Sequence, residues 1–341
     1  MLIVRPMSKL TAVVLAAGQG TRMKSAVPKV LHPIAGRPLL HYSVAAALEV
    51  GAEHAVVVVS PANRQAVADV LACAFGDSRI SLVVQDPPRG TGDAARFGLD
   101  VVGSGLVLVL YGDTPLLAAG DLAALVAAYR SQSPDVALLS CNLDDPSGYG
   151  RVLRGSRGEV LEVREDRDLE SDGQRAVREV NAGVYVADSD TLRRSLEQLS
   201  PANAQGEYYL TDIVGMGARG RGAVAVSGGA ENLVGVNDRA QLAAAEEAMY
   251  RRIAERHARA GATVRGDARI DDTVALGPDA TISAGVFLRG DTTVRRGATI
   301  DVGCVVTDSE IGENAELGAY AVLDRVTVPA NARIDAFARR V

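Results

Sequence analysis

A chain of 341 residues with net charge −6 and a pI near 5.4 is long enough for two domains and too acidic for a general nucleic-acid-binding surface. Its three cysteines, Cys73, Cys141 and Cys304, lack metal-ligand spacing and read as buried thiols in a reducing compartment. Apolar runs stop short of a membrane span, and Met1 to Leu10 is too short and too polar for a secretory leader, so a cytoplasmic protein with no membrane or nucleic-acid partner is expected.

Thr11 to Leu15 is a short apolar run that predicts a buried parallel strand. The next stretch, Leu15-Ala16-Ala17-Gly18-Gln19-Gly20-Thr21-Arg22-Met23, is a turn of small residues in which backbone amides can approach a bulky anion. Arg22 and Lys29 add two cations, and bare amides plus two cations suit a nucleoside triphosphate. Two better-known phosphate loops are excluded. Met23 stands where a dinucleotide fingerprint needs its third glycine, and there is no Gly-x4-Gly-Lys-[Ser/Thr].

Helical and strand patterns then alternate. Leu39 to Val50, Pro61 to Ala74, Gly92 to Val102 and Gly120 to Ser131 read as helices. Ala55 to Val59, Ile80 to Val84, Leu106 to Tyr111 and Val136 to Cys141 read as strands. The rhythm predicts an α/β, doubly wound, mostly parallel sheet of the Rossmann-like kind, with ligands at the carboxyl ends of its strands. Both the opening turn and Tyr111-Gly112-Asp113 fall at such ends. Residues 142 to 237 are less regular and read as a partly antiparallel extension. The domain reading is 1–237 for this unit, 238–261 for one long connecting helix stopped by Gly261, and 262–341 for a C-terminal segment of different periodicity.

In that last segment the period becomes six. Val264, Ile270, Leu276, Ile282, Leu288, Val294, Ile300 and Val306 recur without a slip; one five-residue step leads to Ile311, Leu317 and Leu323, and another to Val328 and Ile334. Small or β-branched residues such as Ala280, Val286, Ala298 and Cys304 stand two positions before most of them. This spacing predicts a parallel β-helix of roughly four coils, three hexapeptides to each, with the apolar positions stacked inside.

The long pattern Leu-Ala-Ala-Gly-x-Gly-Thr-Arg-Met-x4-Pro-Lys resembles the signature of sugar-1-phosphate nucleotidyltransferases. Val84-Gln85, Gly90-Thr91-Gly92, Tyr111-Gly112-Asp113-Thr114-Pro115, Gly148-Tyr149-Gly150-Arg151, Glu165, Asn181-Ala182-Gly183, the Ala204 to Asp212 run and Gly235-Val236-Asn237 come after it in order. With the helix and the hexapeptides, nearly the whole chain resembles the bifunctional N-acetylglucosamine-1-phosphate uridyltransferase/glucosamine-1-phosphate acetyltransferase family. The resemblance implies a left-handed β-helix, a homotrimer, and transfer of a uridylyl group from UTP to N-acetylglucosamine-1-phosphate with Mg²⁺. It implies Arg22 and Lys29 as the catalytic cations, and Leu15, Ala16, Ala17, Gly18, Gln85, Gly90 and Thr91 around the nucleotide. It places Tyr111, Gly112, Gly150, Glu165, Asn181 and Asn237 at the sugar phosphate, and Asp113 with Asn237 on the metal.

The residues support parts of this on their own chemistry. Mg²⁺ prefers oxygen and usually takes only one or two protein carboxylates or carbonyls, and Asp113 is the best carboxylate on offer at a strand end. Uracil presents an acceptor beside a donor, which one carboxamide such as Gln85 could meet both ways. No nucleophilic side chain is needed, and His32, His41, His54 and His257 read as structural or exposed. Departures from the family are Asp93 after Gly-Thr-Gly, Arg167 near the sugar loop, and Val234 before Gly-Val-Asn. The family's acetyltransferase residues lie in coils beyond Val341, so no acetyl transfer is expected from this stretch. Competing readings are a nucleotidyltransferase for another hexose phosphate and a non-catalytic sugar-nucleotide-binding scaffold.

Overall fold

The structure, a computed structural model, describes residues 9–76 and 78–341, so most of the Met1 to Leu10 reading lies outside the described residues. Two compact units are present: Met1–His32 with Leu39–Arg239, and Pro33–Pro38 with Ala240–Val341.

The first unit is built on nine strands: β1 (Leu10–Leu15), β2 (His54–Val59), β3 (Ile80–Val84), β4 (Leu106–Tyr111), β5 (Val136–Asn142), β6 (Arg151–Arg154), β7 (Val160–Arg164), β8 (Glu179–Asp188) and β9 (Ala223–Ser227). The main order is β9-β5-β8-β4-β1-β2-β3, with the β6–β7 hairpin attached through β8. All the main strands run parallel except β8, which is antiparallel to both β4 and β5. From β1 the chain winds outward through β2 and β3, then returns to lay β4 on the other side. The carboxyl ends of β1 and β4, Leu15 and Tyr111, are register partners at that reversal. A crevice opens where such a winding changes direction.

The continuous Val/Leu runs are explained by burial on both faces. Val14, Val57, Leu108 and Leu110 point into one core, packed with Leu40 and Val44 of helix α1 (Leu39–Glu49), Val67 and Leu71 of α2 (Arg64–Phe75), and residues of the Ala119–Gln132 helix. Val13, Val56, Val58, Val107 and Val109 point into the other, with Ala94, Ala95 and Leu99 of α3 (Thr91–Leu99) and the helices Ser189–Glu197 and Asp212–Arg219. Cys141 is buried in the first core, but Cys73 is exposed, contrary to the expectation for all three thiols. In α2 only Val67 and Leu71 are buried, so that helix rests on a narrow stripe and turns Cys73 to solvent.

The second unit contains most of the helix Arg239–Arg259, which buries Ala245, Met249, Ile253 and His257 at four-residue spacing and stops before Gly261, whose φ is +99°. Fourteen short strands come next in three parallel sheets of five, five and four strands, which makes a left-handed β-helix of four complete coils and two strands of a fifth. Thr281 pairs with Thr299, eighteen positions on, whereas Thr293 pairs with Glu310, seventeen on. The two five-residue steps therefore fall at one corner of the prism in successive coils. Asp308 and Arg325 turn that corner with φ of 46° and 54°. Ile282, Ile300 and Leu317 form one inward column, each 2% exposed or less. Phe287 is half-buried, with Arg269 and Arg289 guanidinium carbons 6.0 and 5.0 Å from its ring centroid. Within this unit the Pro33–Ile34/Arg37–Pro38 hairpin is tied to the β-helix by Arg37 Nε on Asp272 Oδ2 at 3.0 Å.

The inward columns carry the stability of the β-helix. Ile300→Ala should lower it by about 3 kcal/mol in urea unfolding, through lost burial plus a cavity with no room to collapse. Arg295→Ala, which removes an exposed pair with Glu310, should change it by less than about 1 kcal/mol. Similar losses for both would show that the stacked columns are not what holds the coils.

Candidate active site

The turn after β1 is fixed from both sides. Ala16 N–H extends the ladder to Val58 O at 2.8 Å, and Gly112 N–H donates to Leu15 O at 2.9 Å. Behind it the buried Asn63 donates its amide to Ala16 O and accepts from Ser60 N–H, both at 2.9 Å. Gly20 sits in the left-handed region (φ 59°), and a Cβ there would lie 2.6 Å from Lys29 Cβ. Its missing side chain is what lets the Lys29 stem cross the turn. Met23, in place of the third fingerprint glycine, is a buried anchor at 1% exposure. Arg239 holds the same segment, with Nε on Met23 O at 3.3 Å and Nη1 3.3 Å from His32 Nδ1. Burial and the Arg239 charge lower the His32 pKa, which keeps the ring neutral at physiological pH.

Four polar side chains converge beside this turn. The Lys29 ammonium forms an ion pair with Asp113 Oδ2 and also donates to Asn237 Oδ1 at 3.3 Å; Arg22 Nη2 donates to the same Asn237 oxygen at 3.0 Å. Asp113 and Asn237 come from distant parts of the chain, and Val236 N–H on Asp113 O at 2.8 Å joins their loops. The Lys29 and Asp113 side chains are only 13% and 16% exposed, so their attraction is little screened.

These groups line a cleft of about 600 Å³ along the carboxyl edge of the sheet. Leu15, Ala16, Ala17, Gly18, Arg22, Lys29, Gln85, Gly90, Thr91, Tyr111, Asp113, Gly150, Glu165, Asn181 and Asn237 all face it. Gly112 does not. It lies behind the wall, where a Cβ would meet Leu40 Cδ1 at 2.7 Å, so its part is packing. None of the four histidines lines the cleft.

At one end Gln85 is 3% exposed, and its Nε2 donates to Gly90 O at 3.2 Å and to Asp93 Oδ2 at 2.9 Å. From sequence this amide is expected to act as donor and acceptor together. In the structure its donor half is committed to the protein. At the other end Gly183, with φ of 75°, lies flat under the Tyr111 ring, where a Cβ would come within 2.1 Å of Cε2. Asn181 accepts from Gly183 N–H at 3.1 Å and donates to Tyr185 Oη at 2.7 Å, while Gly150 O accepts from Asn181 N–H at 2.8 Å. Glu165 accepts from Thr211 Oγ1 at 3.0 Å. Burial, then the charges of Asp212, Asp168 and Asp166, push its pKa above the usual carboxylate range.

Sequence reasoning does not mark Asn63, Asp93, Thr211 or Arg239 as site-forming. Asn63 has a signal, since Asn three residues after Ser60 in Ser-Pro-Ala-Asn is turn-forming chemistry. The other three act through contacts that no local spacing reveals.

An open cleft at a β1–β4 switch, a glycine turn and two cations beside a carboxylate define a nucleotidyltransferase class of enzyme. Residues 12–207 match the MobA-like NTP transferase domain family. The chain is 49% identical to the bifunctional protein GlmU of Sorangium cellulosum over 334 residues, covering 96% of this chain and 70% of that protein. It is 42% identical to the GlmU of Anaeromyxobacter dehalogenans strain 2CP-C over 339 residues, covering 98% and 69%. A solved structure, a putative glucose-1-phosphate thymidylyltransferase from Bacillus anthracis in complex with a sucrose, superposes with a TM-score of 0.58 at 21% identity, covering 70% of this chain and 94% of that one. That likeness shows the fold alone. The chain belongs to the GlmU family, and it is a sugar-1-phosphate nucleotidyltransferase. Among the described residues no helix is long and apolar enough to cross a membrane.

The raised Glu165 pKa has a measurable consequence. An ionised carboxylate there destabilises the folded state at neutral pH, and the loss is recovered as pH falls through the raised folded value toward the unfolded one near 4.5. Glu165→Gln should therefore raise the melting temperature at pH 7.5, and the gain should shrink steadily on acidification to pH 4. A gain independent of pH would mean that the Glu165 charge is not its source.

Proposed function

We propose that the cleft binds UTP and N-acetylglucosamine-1-phosphate and joins them into UDP-N-acetylglucosamine, releasing pyrophosphate. The observation that carries this reading is the convergence of Arg22, Lys29, Asp113 and Asn237 at one side of a cleft that also carries the buried Gln85. The backbone of Leu15 to Gly18 and the cations Arg22 and Lys29 take the triphosphate, where they offset its charge. Gln85, Gly90 and Thr91 take the base and its surroundings. Glu165, Asn181 and Gly150 take the hydroxyl and N-acetyl edge of the sugar, with Tyr111 walling the cleft between.

The reaction needs no protein nucleophile and no proton transfer. A sugar-phosphate oxygen, already ionised, attacks the α-phosphorus; the new P–O bond forms as the bond to the β-phosphate oxygen breaks, and pyrophosphate leaves with that electron pair. Positioning and charge compensation supply the acceleration. Asp113 and Asn237 fit a divalent cation, because Asp113 Oδ2 and Asn237 Oδ1 already converge on one cationic group, the Lys29 ammonium. One carboxylate and one amide oxygen suit Mg²⁺, which keeps its remaining positions for phosphate and water. Bound there, Mg²⁺ would neutralise charge developing on the phosphates. We also propose that the flat sheets of the β-helix associate three chains. Light scattering should then give three times the 35.5 kDa chain mass, and a monomer at micromolar concentration would refute the assembly.

The test of the chemistry is pyrophosphate release from UTP and N-acetylglucosamine-1-phosphate by the purified chain. Excess chelator should abolish it and Mg²⁺ restore it. Asp113→Ala should lower kcat by about a hundredfold or more with an unaltered circular dichroism spectrum. Full turnover in chelator would overturn the metal assignment.

A further inference from the structure

Gln85 and Asp93 form an arrangement that the uridylyl-transfer reading does not by itself require. Both groups that Gln85 Nε2 touches can only accept: one is the Gly90 carbonyl, the other the Asp93 carboxylate. The carboxamide therefore has one permitted orientation, with nitrogen toward the protein. Among the described residues no donor lies on Gln85 Oε1, and Gln85 faces the cleft. Asp93 is itself immobilised. Its side chain has no exposed surface, and its Oδ1 accepts from Arg89 Nη2 at 3.0 Å and from Arg96 Nη2 at 2.7 Å. It also lies in the first turn of α3, where the unpaired amides of the helix favour an anion.

We infer that Asp93 is a positioning residue for base selection: it holds the Gln85 carboxamide in the single orientation that offers only an oxygen to the ligand. Such an oxygen accepts the N3–H of uracil. Cytosine presents an unprotonated N3 at that place, so two lone pairs face each other and the pairing fails. A Gln free to turn over could meet either base, because its nitrogen would then serve cytosine N3. Selection against cytosine thus comes from Asp93 behind the amide as much as from Gln85 itself. This inference rests on the proposed uridylyl-transfer reading.

The experiment measures kcat/KM with UTP and with CTP, at saturating N-acetylglucosamine-1-phosphate, for the wild type, Asp93→Asn and Asp93→Ser. Asparagine and serine can each accept or donate, so both remove the anionic and shorter of the two acceptor-only contacts and leave only the longer one, to Gly90 O at 3.2 Å, against a turned amide. The expected result is a wild type that strongly prefers UTP, and variants whose UTP-over-CTP ratio falls at least tenfold. The fall should come from a raised KM for UTP and a gain with CTP, with kcat for UTP held within about threefold. A purely structural role would reduce both nucleotides alike. A ratio kept within twofold in whichever variant retains the wild-type melting profile would overturn the inference and leave the uridylyl reading standing. A wild type that uses CTP as well as UTP would overturn the uridylyl reading, and this inference with it.

Discussion

The site is organised by one electrostatic constraint: two oxygens from distant loops, on Asp113 and Asn237, share the ammonium of Lys29. A carboxylate this sheltered would be costly without a cation, because the attraction that stabilises it replaces lost hydration. Much of the surrounding backbone serves to bring the three together. Val236 N–H on Asp113 O sets the separation of the two loops, and Gly20 clears the path of the Lys29 stem. Arg22 reaches Asn237 from the same turn, so the cations are already gathered before any phosphate arrives. Preorganised charge of this kind costs little reorganisation when a polyanion binds.

That constraint can be met only if the turn after β1 does not move. A strand buried on both faces supplies the rigidity, since neither Val13 nor Val14 can shift without disturbing a packed core. The antiparallel β8 then performs a different task. Running against β4, it brings Asn181 and Gly183 back to the carboxyl edge where Tyr111 ends. Gly183 lies so close under the Tyr111 ring that any side chain would displace it, and this contact fixes the ring in the cleft wall at that end.

Most of the architecture was legible because its determinants are local. Val/Leu runs of five or six residues, the Gly-x-Gly turn and the hexapeptide period each report on side-chain direction within a few positions. Even the five-residue steps had a structural meaning, a corner shortened at Asp308 and again at Arg325. Gathering at the cleft was also anticipated for fifteen side chains and backbone positions, with Gly112 the exception because its neighbour Leu40 lies behind the wall. What escaped was non-local or orientational. Arg239 on Met23 O and Thr211 on Glu165 join segments that no spacing relates. Cys73 needed the depth to which α2 sinks, which its sequence does not state. Asp93 was visible as an oddity, but only the folded structure reveals which half of the Gln85 amide it consumes.

On the proposed uridylyl-transfer reading, that last contact changes the character of base recognition. A neutral carboxamide alone is an indifferent reader, because donor and acceptor differ only by a half-turn of one terminal bond. An anion fixed against its nitrogen removes the choice and also polarises the amide, adding negative charge to Oε1. The two guanidinium groups on the far side of Asp93 do not undo this. They lie on Oδ1, whereas Gln85 uses Oδ2, and both are more than 40% exposed, so water screens their influence on the cleft. The chain from Arg96 through Asp93 to Gln85 thus runs donor to acceptor to donor and ends on a bare oxygen. In a cleft where Arg22 and Lys29 stand ready for phosphate, that oxygen presents an acceptor, and on the proposed uridylyl-transfer reading it adds a choice between pyrimidines to the attraction for the triphosphate.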